Sequence, residues 1–258
     1  MNESDPVIIE VTLPAPVDAV WRALRDPAEL RRWFGWDHEG LDEEIHYIFD
    51  ETVDAAEDGG TLAWEHGDRF TLEAHSGQTI LRVTRPAPAA GVSWDDVYDE
   101  ITEGWITFVQ QLRFALARHP GEDRRTVFLG GRAARDGGAD LPEMLALSDP
   151  ALVPGERYAT TAVTGEHLTG EVWHRSAHQI GVTVDQYGDG LLLAAHYGAS
   201  SRPPHGGADI VITTYGLDAA ALAEVERRWR TWWREHFAEP GSTKHAADLR
   251  PGNDGNGE

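Results

Sequence analysis

The chain of 258 residues carries 44 acidic against 22 basic side chains, a net charge of −22, which repels nucleic acids and anionic membranes. It contains no cysteine, so disulfides and thiolate metal sites are excluded, and 41% of its residues are hydrophobic, enough for a packed core. No apolar run approaches the ~20 residues of a membrane helix, and the first residues do not resemble a signal peptide. We therefore expect a cytoplasmic globular protein.

The first predicted elements are a strand at 7–13 and two short helices that follow it directly. Pro16 and Pro27 each suit the first position of a helix, where a missing N–H leaves no bond unmade. Asp26, with Glu29 three residues later, forms a capping-box pattern at the start of the second helix. Each helix has an apolar stripe of only two turns, so neither is stable alone and both must pack against another element.

Between 43 and 85 the sequence predicts an antiparallel meander of short strands with turn signals between them. Alternation places Tyr47 and Trp64 on its apolar face. A long helix is then predicted from a cap near Ser93 to about His119, where Pro-Gly ends it. One apolar stripe of this helix contains Trp105, Phe108, Leu112 and Leu116.

The second half of the chain repeats this order in pattern, though not in letters. A strand at 124–131 and a short helix at 141–147 precede four further strands. Asp218 then caps a final long helix that carries Trp229 and Trp232 on its apolar side. The four strands are predicted at 156–163, 171–184, 190–198 and 208–216.

The predicted strand at 171–184 carries two histidines. His174 and His178 are in phase with the apolar residues of this strand, so alternation puts both imidazoles on an otherwise apolar face. There they could orient a ligand or exchange protons near neutral pH; the alternatives are a histidine hydrogen-bonded in the wall, and a bulge near Gly181 that turns both to solvent. A zinc site needs a third ligand, for which His196 is the only nearby candidate, so we expect no metal and no cofactor.

The opening segment resembles a known family. A strand followed by P-x-x-V-W-x-x-L-x-D-P-x-x-L-x-x-W-F is similar to the entry of the START/Bet v1-like superfamily, particularly the branch named for the activator of Hsp90 ATPase homologue. The likeness covers about residues 7 to 120, and the tandem order is similar to two-domain START-like proteins of enediyne and polyketide gene clusters. From 121 to 237 no W-F signature precedes the strands. The motif residues are Pro16, Val20, Trp21, Leu24, Asp26, Pro27, Leu30, Trp33 and Phe34.

The resemblance implies an α+β helix-grip fold, in which a curved antiparallel sheet wraps around a long C-terminal helix and the two short helices close one end. It implies two tandem units, the second degenerate, and a ligand cavity where the curved sheet separates from its helix. Whether the two units share one cavity is left open. The predicted boundaries are a tail at 1–6, the first unit at 7–120, the second unit at 121–237 and a disordered tail at 238–258.

The resemblance also implies the binding of a hydrophobic small molecule. Because no hydrolase, kinase or nucleotide-binding motif is present, the first hypothesis is a non-enzymatic binder of a polyketide-like natural product, acting in its biosynthesis, carriage or self-resistance. The alternatives are a polyketide cyclase or aromatase, with His174 or His178 moving protons, and an Hsp90-type cochaperone. The predicted ligand-binding residues are Tyr47, Trp64, Trp105, Phe108, Leu112, His174, His178, Trp229 and Trp232.

Overall fold

The structure is a computed structural model that describes residues 6–55, 60–65, 67–86, 98–134 and 141–238. Within these ranges the protein is an α+β structure with two antiparallel sheets, and a long helix packs on each of them. No helix of the described ranges is long and apolar enough to cross a membrane. This architecture is compatible with a helix-grip fold, while the predicted division into domains stays a prediction.

Among the described residues, the first sheet contains five strands from the N-terminal part of the chain. They are β1 (Val7–Leu13), β2 (Val53–Ala55), β3 (Thr61–Trp64), β4 (Arg69–His75) and β5 (Gln78–Thr84). The order across the sheet is β1-β5-β4-β3-β2, so the first strand pairs with the last and every pair is antiparallel. The strand predicted at 7–13 and the last three strands of the predicted meander are confirmed.

Two short helices close one end of this sheet. They are α1 (Val17–Arg25) and α2 (Pro27–Leu30), and Pro27 is the first residue of its helix, as predicted. Asp26 caps α2 by accepting a hydrogen bond of 2.9 Å from the Ala28 N–H. The Trp33 indole donates to the Ala23 carbonyl over 2.8 Å, which holds the segment after α2 against α1. The apolar stripes of both helices are therefore buried in the first core.

Residues 43–50 are helical, which corrects the prediction of a strand. The helix α3 (Leu41–His46) continues into a π-helical turn at Tyr47–Glu51, and Tyr47 lies half-buried at the start of that turn. Alternation and helical spacing both fit this short apolar pattern, and the three acidic residues of the first turn favour the helix because they face its positive end. The buried helical positions are Leu41, Ile45, Ile48 and Phe49.

The long helix α4 (Tyr98–Arg118) lies between the two sheets. Its end is where the sequence predicted it, whereas the predicted cap near Ser93 lies outside the described residues. One face packs on the first sheet through Trp105 and Leu112. The opposite face is also buried, because it contacts the second sheet. This second face contains Glu103, Thr107, Gln110 and Phe114.

In the part of the chain that the structure describes, the second sheet contains seven strands. They are β6 (Arg125–Ala133), β7 (Arg157–Thr161), β8 (His167–Arg175), β9 (Gln179–Val184), β10 (Gly190–Tyr197), β11 (Gly207–Thr214) and β12 (Phe237–Ala238). Their order is β12-β6-β11-β10-β9-β8-β7, all antiparallel. Ala238 is therefore part of a strand rather than of a tail, and the rest of the predicted tail lies outside the described residues.

The segment 171–184 is a hairpin, which corrects the prediction of one continuous strand. The Ser176 hydroxyl accepts hydrogen bonds from the N–H groups of His178 and Gln179, at 3.2 Å and 3.0 Å, and this turns the chain between β8 and β9. The short helix α5 (Leu141–Met144) and the final helix α6 (Ala219–His236) are close to their predicted positions. The helix α6 packs on the face of the second sheet that points away from α4.

Candidate functional site

The structure divides the predicted ligand-binding residues among separate places. Five of them belong to the first core, between the first sheet and α4, and two belong to the second core, between the second sheet and α6. The two histidines lie in neither core. The first-core residues are Tyr47, Trp64, Trp105, Phe108 and Leu112, and the second-core residues are Trp229 and Trp232.

In the first core the aromatic rings pack against one another. The centroids of Trp64 and Trp105 are 5.5 Å apart, and Phe70 lies within 4.9 Å of both. Each indole N–H has a protein acceptor: Trp64 donates to the Ile48 carbonyl over 2.8 Å, and Trp105 donates to the Asp68 carboxylate over 3.0 Å. The neighbours of Trp64 and Trp105 in these contacts are other protein groups. A role of the two rings in ligand binding therefore stays a prediction.

The two histidines are not on the apolar core face, and that prediction is wrong. A bulge at Trp173 shifts the register of β8 against β9, because Val172 pairs with Val182 whereas His174 pairs with Gly181. His174 therefore faces α4 instead of α6. His178 lies exposed in the turn, with its ring centroid 5.2 Å from that of His196. The alternative of a bulge is closer to the structure, but only His178 is turned to solvent.

His174 is mostly buried between the second sheet and α4. Burial, together with the positive charge of Arg113, lowers its pKa to about 4, so the imidazole is neutral at physiological pH. Its Nε2 atom has no hydrogen-bond partner among the described residues. Within these residues, no group of three or more histidine, aspartate or glutamate side chains is arranged to hold a metal ion.

A cleft of about 410 Å³ opens between the N-terminal half of α6 and the adjacent end of the second sheet. It lies where the helix and the sheet beneath it separate, and it is wide open to solvent. The sheet side contributes Glu166, His167 and Tyr187. Helical spacing places one row of α6 along the other side. That row consists of Ala221, Glu224, Val225 and Arg228.

Local sequence explains both walls of the cleft. The Asp218 carboxylate accepts a hydrogen bond of 2.8 Å from the Ala221 N–H and so starts α6 at the cleft. Tyr187 ends a 3₁₀ turn at Asp185–Tyr187 between β9 and β10, and the residue is 1% exposed. Gly188 follows with a φ of +74°, and a Cβ there would lie 1.8 Å from the Tyr215 carbonyl oxygen. Only glycine therefore allows this turn.

A chain of hydrogen bonds runs from the second core into the cleft. The Trp229 indole donates to the Tyr187 hydroxyl over 2.8 Å, and this hydroxyl donates to Glu166 over 3.2 Å. Arg228 binds Glu166 over 2.9 Å. Burial raises the pKa of Tyr187 above its ordinary value, so the phenol stays protonated and can donate. These bonds hold Tyr187 in place beneath the cleft, where it is buried.

The charges in the cleft are paired. Hydrogen bonds from Arg227 and then Arg228 lower the pKa of Glu224 to about 2, which keeps this carboxylate ionised at neutral pH. Arg228 lies between two carboxylates, with its Nε on Glu224 at 2.6 Å and its Nη1 on Glu166 at 2.9 Å. The charged residues of the lining, Glu166, Glu224 and Arg228, sum to −1, and Arg227, which binds Glu224 from outside the lining, brings the sum of this network to zero.

Sequence reasoning singled out Trp229 but missed Glu166, Tyr187 and Arg228. One signal was available, since Tyr187 stands between a buried strand and the Gly188-Asp189-Gly190 turn. The contact between Glu166 and Arg228 had no local signal, because 62 residues separate the two.

Comparison with known proteins gives weak matches only. No family model matches the chain, and no curated protein matches it. Among the solved structures that match are three that align with most of the chain. DynU16, from the dynemicin biosynthetic locus, is 18% identical, with 87% of this chain and 93% of that chain covered and a TM-score of 0.32.

The other two are di-domain ARO/CYC proteins. BexL, from the BE-7585A biosynthetic pathway, is 14% identical, covers 93% of this chain and 100% of its own, and gives a TM-score of 0.32. StfQ, from the steffimycin biosynthetic pathway, is 12% identical, covers 86% of this chain and 90% of its own, and gives a TM-score of 0.30. Scores this low transfer neither a fold nor a function to the present chain.

Proposed function

We propose that the protein is a cytoplasmic binder of a hydrophobic small molecule, a polyketide-like natural product, and that the cleft beside α6 receives it. One observation carries the proposal: an apolar strip of Leu217, Ala221 and Val225 lies with the buried ring of Tyr187 in a cleft of about 410 Å³. This volume is within the range of roughly 300–1,000 Å³ typical of small-molecule sites, and the open side of the cleft leaves part of a bound ligand in contact with solvent. The accessible part of this strip, at Leu217 and Ala221, can receive the apolar face of a conjugated or polycyclic ligand.

The START-like motif at 16–34 supports the same function. Proteins with this motif hold their ligands between a curved sheet and its helix, and the cleft lies at a sheet–helix boundary of the same kind. In this protein the boundary belongs to the second sheet and α6. The ligand would then be bound during its biosynthesis, its carriage or the self-resistance of the producing cell.

The test fills the cleft without touching the core. Ala221 lines the cleft on the exposed side of α6, and Ala223 is exposed on the opposite side of the same helix. The variants Ala221→Trp and Ala223→Trp therefore add the same side chain inside and outside the cleft. Calorimetric titration with polycyclic aromatics and conjugated polyenes measures the affinity of each.

We expect the wild-type protein and Ala223→Trp to bind at least one compound class with equal affinity, and Ala221→Trp to bind it at least tenfold more weakly. Equal affinity in both variants would mean that the ligand binds elsewhere in the protein. Failure of the wild-type protein to bind any compound of a broad panel would contradict the function itself.

A cyclase- or aromatase-type enzyme is the second candidate, and His174 is the observation in its favour. A mostly buried, neutral imidazole with an unpartnered Nε2 can accept a proton. Because His174 faces α4, the substrate of such an enzyme would bind on the face of the second sheet opposite to the cleft beside α6. Loss of turnover with retained binding in His174→Ala, but not in His178→Ala, would support the enzyme. The cochaperone alternative rests on the family resemblance alone.

A further inference from the structure

The bulge in β8 places two adjacent nitrogen-bearing side chains on the same face of the second sheet. The register of β8 against β9 shifts after Val172, which makes Trp173 the extra residue of the strand. Trp173 faces α4, because its ring centroid lies 5.2 Å from that of Phe114. His174 faces α4 as well, where the positive charge of Arg113 acts on it. Two consecutive side chains are therefore directed at one helix.

The nitrogen atoms of these two side chains are buried without partners. Trp173 is 7% exposed, and its indole N–H has no acceptor among the described residues. The Nε2 atom of His174 has no partner among them either, and the neutral imidazole carries its proton on this atom in one of its two tautomers. A buried donor without an acceptor is unfavourable, so both nitrogen atoms favour a bound acceptor group.

Arg113 brings an unpaired positive charge to the same place. Its guanidinium carbon lies 4.4 Å from the centre of the Trp173 ring, and no described carboxylate hydrogen-bonds to it. The charge of Glu171 reaches Arg113, but that carboxylate accepts from Arg118 over 3.1 Å. Burial lowers the pKa of Arg113, although a guanidinium stays charged at neutral pH. Partly buried charges are normally paired, so this guanidinium favours an anion.

We infer that Arg113, Trp173 and His174 form a binding site for an oxyanion, a carboxylate or phosphate group, between α4 and the second sheet. All three side chains can donate hydrogen bonds, and an oxyanion accepts several of them at once. The net charge of −22 opposes anions at long range, but salt screens this repulsion beyond about 8–10 Å. The site goes beyond the proposed function, because the second sheet separates it from the cleft beside α6.

Three small aromatic compounds test the inference. Benzoate and phenyl phosphate carry the two kinds of oxyanion, and benzamide is the neutral analogue of benzoate. Titrations followed by nuclear magnetic resonance at constant ionic strength measure their affinities for the wild-type protein, Arg113→Met, Trp173→Phe and Arg22→Met. Arg22 is the matched control, because it is exposed on α1 and its loss changes the net charge by the same amount.

We expect the wild-type protein and Arg22→Met to bind benzoate, phenyl phosphate or both at least tenfold more tightly than benzamide. Binding should shift the indole N–H resonance of Trp173. Arg113→Met should lose the preference without a lower melting temperature, because methionine keeps a contact with the Trp173 ring and removes an unpaired charge. Whichever oxyanion binds identifies the ligand class as carboxylate or phosphate.

Trp173→Phe keeps an aromatic ring and removes the N–H donor, so it should weaken the binding of the oxyanion several-fold. This variant decides the question if Arg113→Met does not fold. Ala221→Trp should bind the oxyanion as the wild-type protein does, because Ala221 lines the cleft on the other side of the sheet.

Three outcomes would overturn the inference. Equal affinity for benzoate, phenyl phosphate and benzamide would mean that the negative charge is not recognised. Equal affinity of the wild-type protein and Arg113→Met for the oxyanions would place their binding elsewhere. Absence of binding for all three compounds would mean that the buried nitrogen atoms do not form an anion site. None of these results affects the proposed function, which the aromatic and polyene titrations of Ala221→Trp test separately.

Discussion

The two long helices of this protein occupy different environments. The helix α4 lies between two sheets and is buried on two opposite faces, whereas α6 packs on one sheet and exposes its other side. Ion pairs cover that exposed side, for example Arg230 with Glu226 at 2.8 Å. The described cleft lies beside α6. A helix with a solvent-facing side can separate from its sheet at one end and leave an opening that a ligand can reach.

Polar contacts hold α4 to the second sheet near both of its ends. The Gln179 amide donates to the Glu103 carbonyl over 2.6 Å near the first turns of α4. Just beyond the last turn, the His119 imidazole donates to the Asp189 carbonyl over 2.9 Å. Such contacts leave α4 little freedom to move, so we expect ligand binding to perturb the second core more than the first.

The largest expected effect is at the contact between the segment that ends α2 and the start of the second sheet. Arg124 is fully buried and donates to Gln111 and to the carbonyl oxygens of Arg31, Phe34 and Gly35, at the end of the α2 segment. Burial lowers its pKa to about 10, so it stays charged at pH 7. Arg124→Met should lower the free energy of unfolding by roughly 3–5 kcal/mol, because it leaves several buried acceptors without a donor.

Chemical denaturation measures this effect, and the next residue provides the control. Arg125 is exposed and meets Asp37 over 3.3 Å at the surface. Arg125→Met should cost less than ~1 kcal/mol. A similar loss of stability in both variants would mean that Arg124 does not connect the α2 segment to the second sheet.

The second prediction concerns pH and the sheet face that meets α4. His174 has a pKa of about 4 in the folded protein, against 6.5 for an unperturbed histidine. Above pH 6.5 it is neutral in both states and has no effect; between pH 6.5 and 4 the unfolded chain binds a proton that the folded protein does not. As the pH is lowered from 6.5 to 4, the free energy of unfolding should therefore decrease by an amount on the order of 3 kcal/mol.

Equilibrium unfolding of the wild-type protein, His174→Asn and His178→Asn at several pH values tests this prediction. His174→Asn should lose the dependence between pH 6.5 and 4, and His178→Asn should keep it, because His178 lies in an exposed turn. An unchanged slope in His174→Asn would mean that its imidazole is not buried as described.

Strong local signals explain why much of the fold could be predicted from the sequence. Pro27 and Asp26 fixed the start of α2, Asp218 fixed the start of α6, and the Pro-Gly after His119 fixed the end of α4. Each signal acts within three or four residues of its effect, which is the range over which a linear pattern is reliable.

The errors arose where a decision depended on distant parts of the chain. The apolar residues near Tyr47 fit a strand or a helix equally well, and the surrounding core decides between them. The bulge at Trp173 reversed the side to which His174 points, although the alternation looked regular. The cleft combines Glu166, Tyr187 and Arg228 from three elements, so no single segment of the sequence contains its pattern.

The third prediction compares one tryptophan from each core. Trp229→Phe removes the hydrogen bond to Tyr187, and Trp105→Phe removes the bond to Asp68. Both substitutions also shrink a buried ring, so each should cost about 1–3 kcal/mol of stability. Only Trp229→Phe should weaken ligand binding, by several-fold, because Trp229 holds Tyr187 in place beneath the cleft. Calorimetric titration of both variants would contradict this if Trp105→Phe weakened binding as much.

The smallest expected effect compares two helix caps of the same kind. Asp218 accepts from the Ala221 N–H at 2.8 Å, and Asp26 accepts from the Ala28 N–H at 2.9 Å. Asp218→Ala and Asp26→Ala should each lower stability by about 1 kcal/mol, measured by thermal unfolding.

Their effects on binding should differ. Ala221 belongs to the wall of the cleft, so a frayed first turn of α6 makes that wall less ordered and ligand affinity should fall two- to threefold in Asp218→Ala. Ala28 lies in α2, which does not line the cleft, so Asp26→Ala should leave the affinity unchanged. A loss of affinity in Asp26→Ala alone would mean that the ligand binds at the first core. The helix α2, which Asp26 caps at its start, packs on that core and does not line the cleft beside α6.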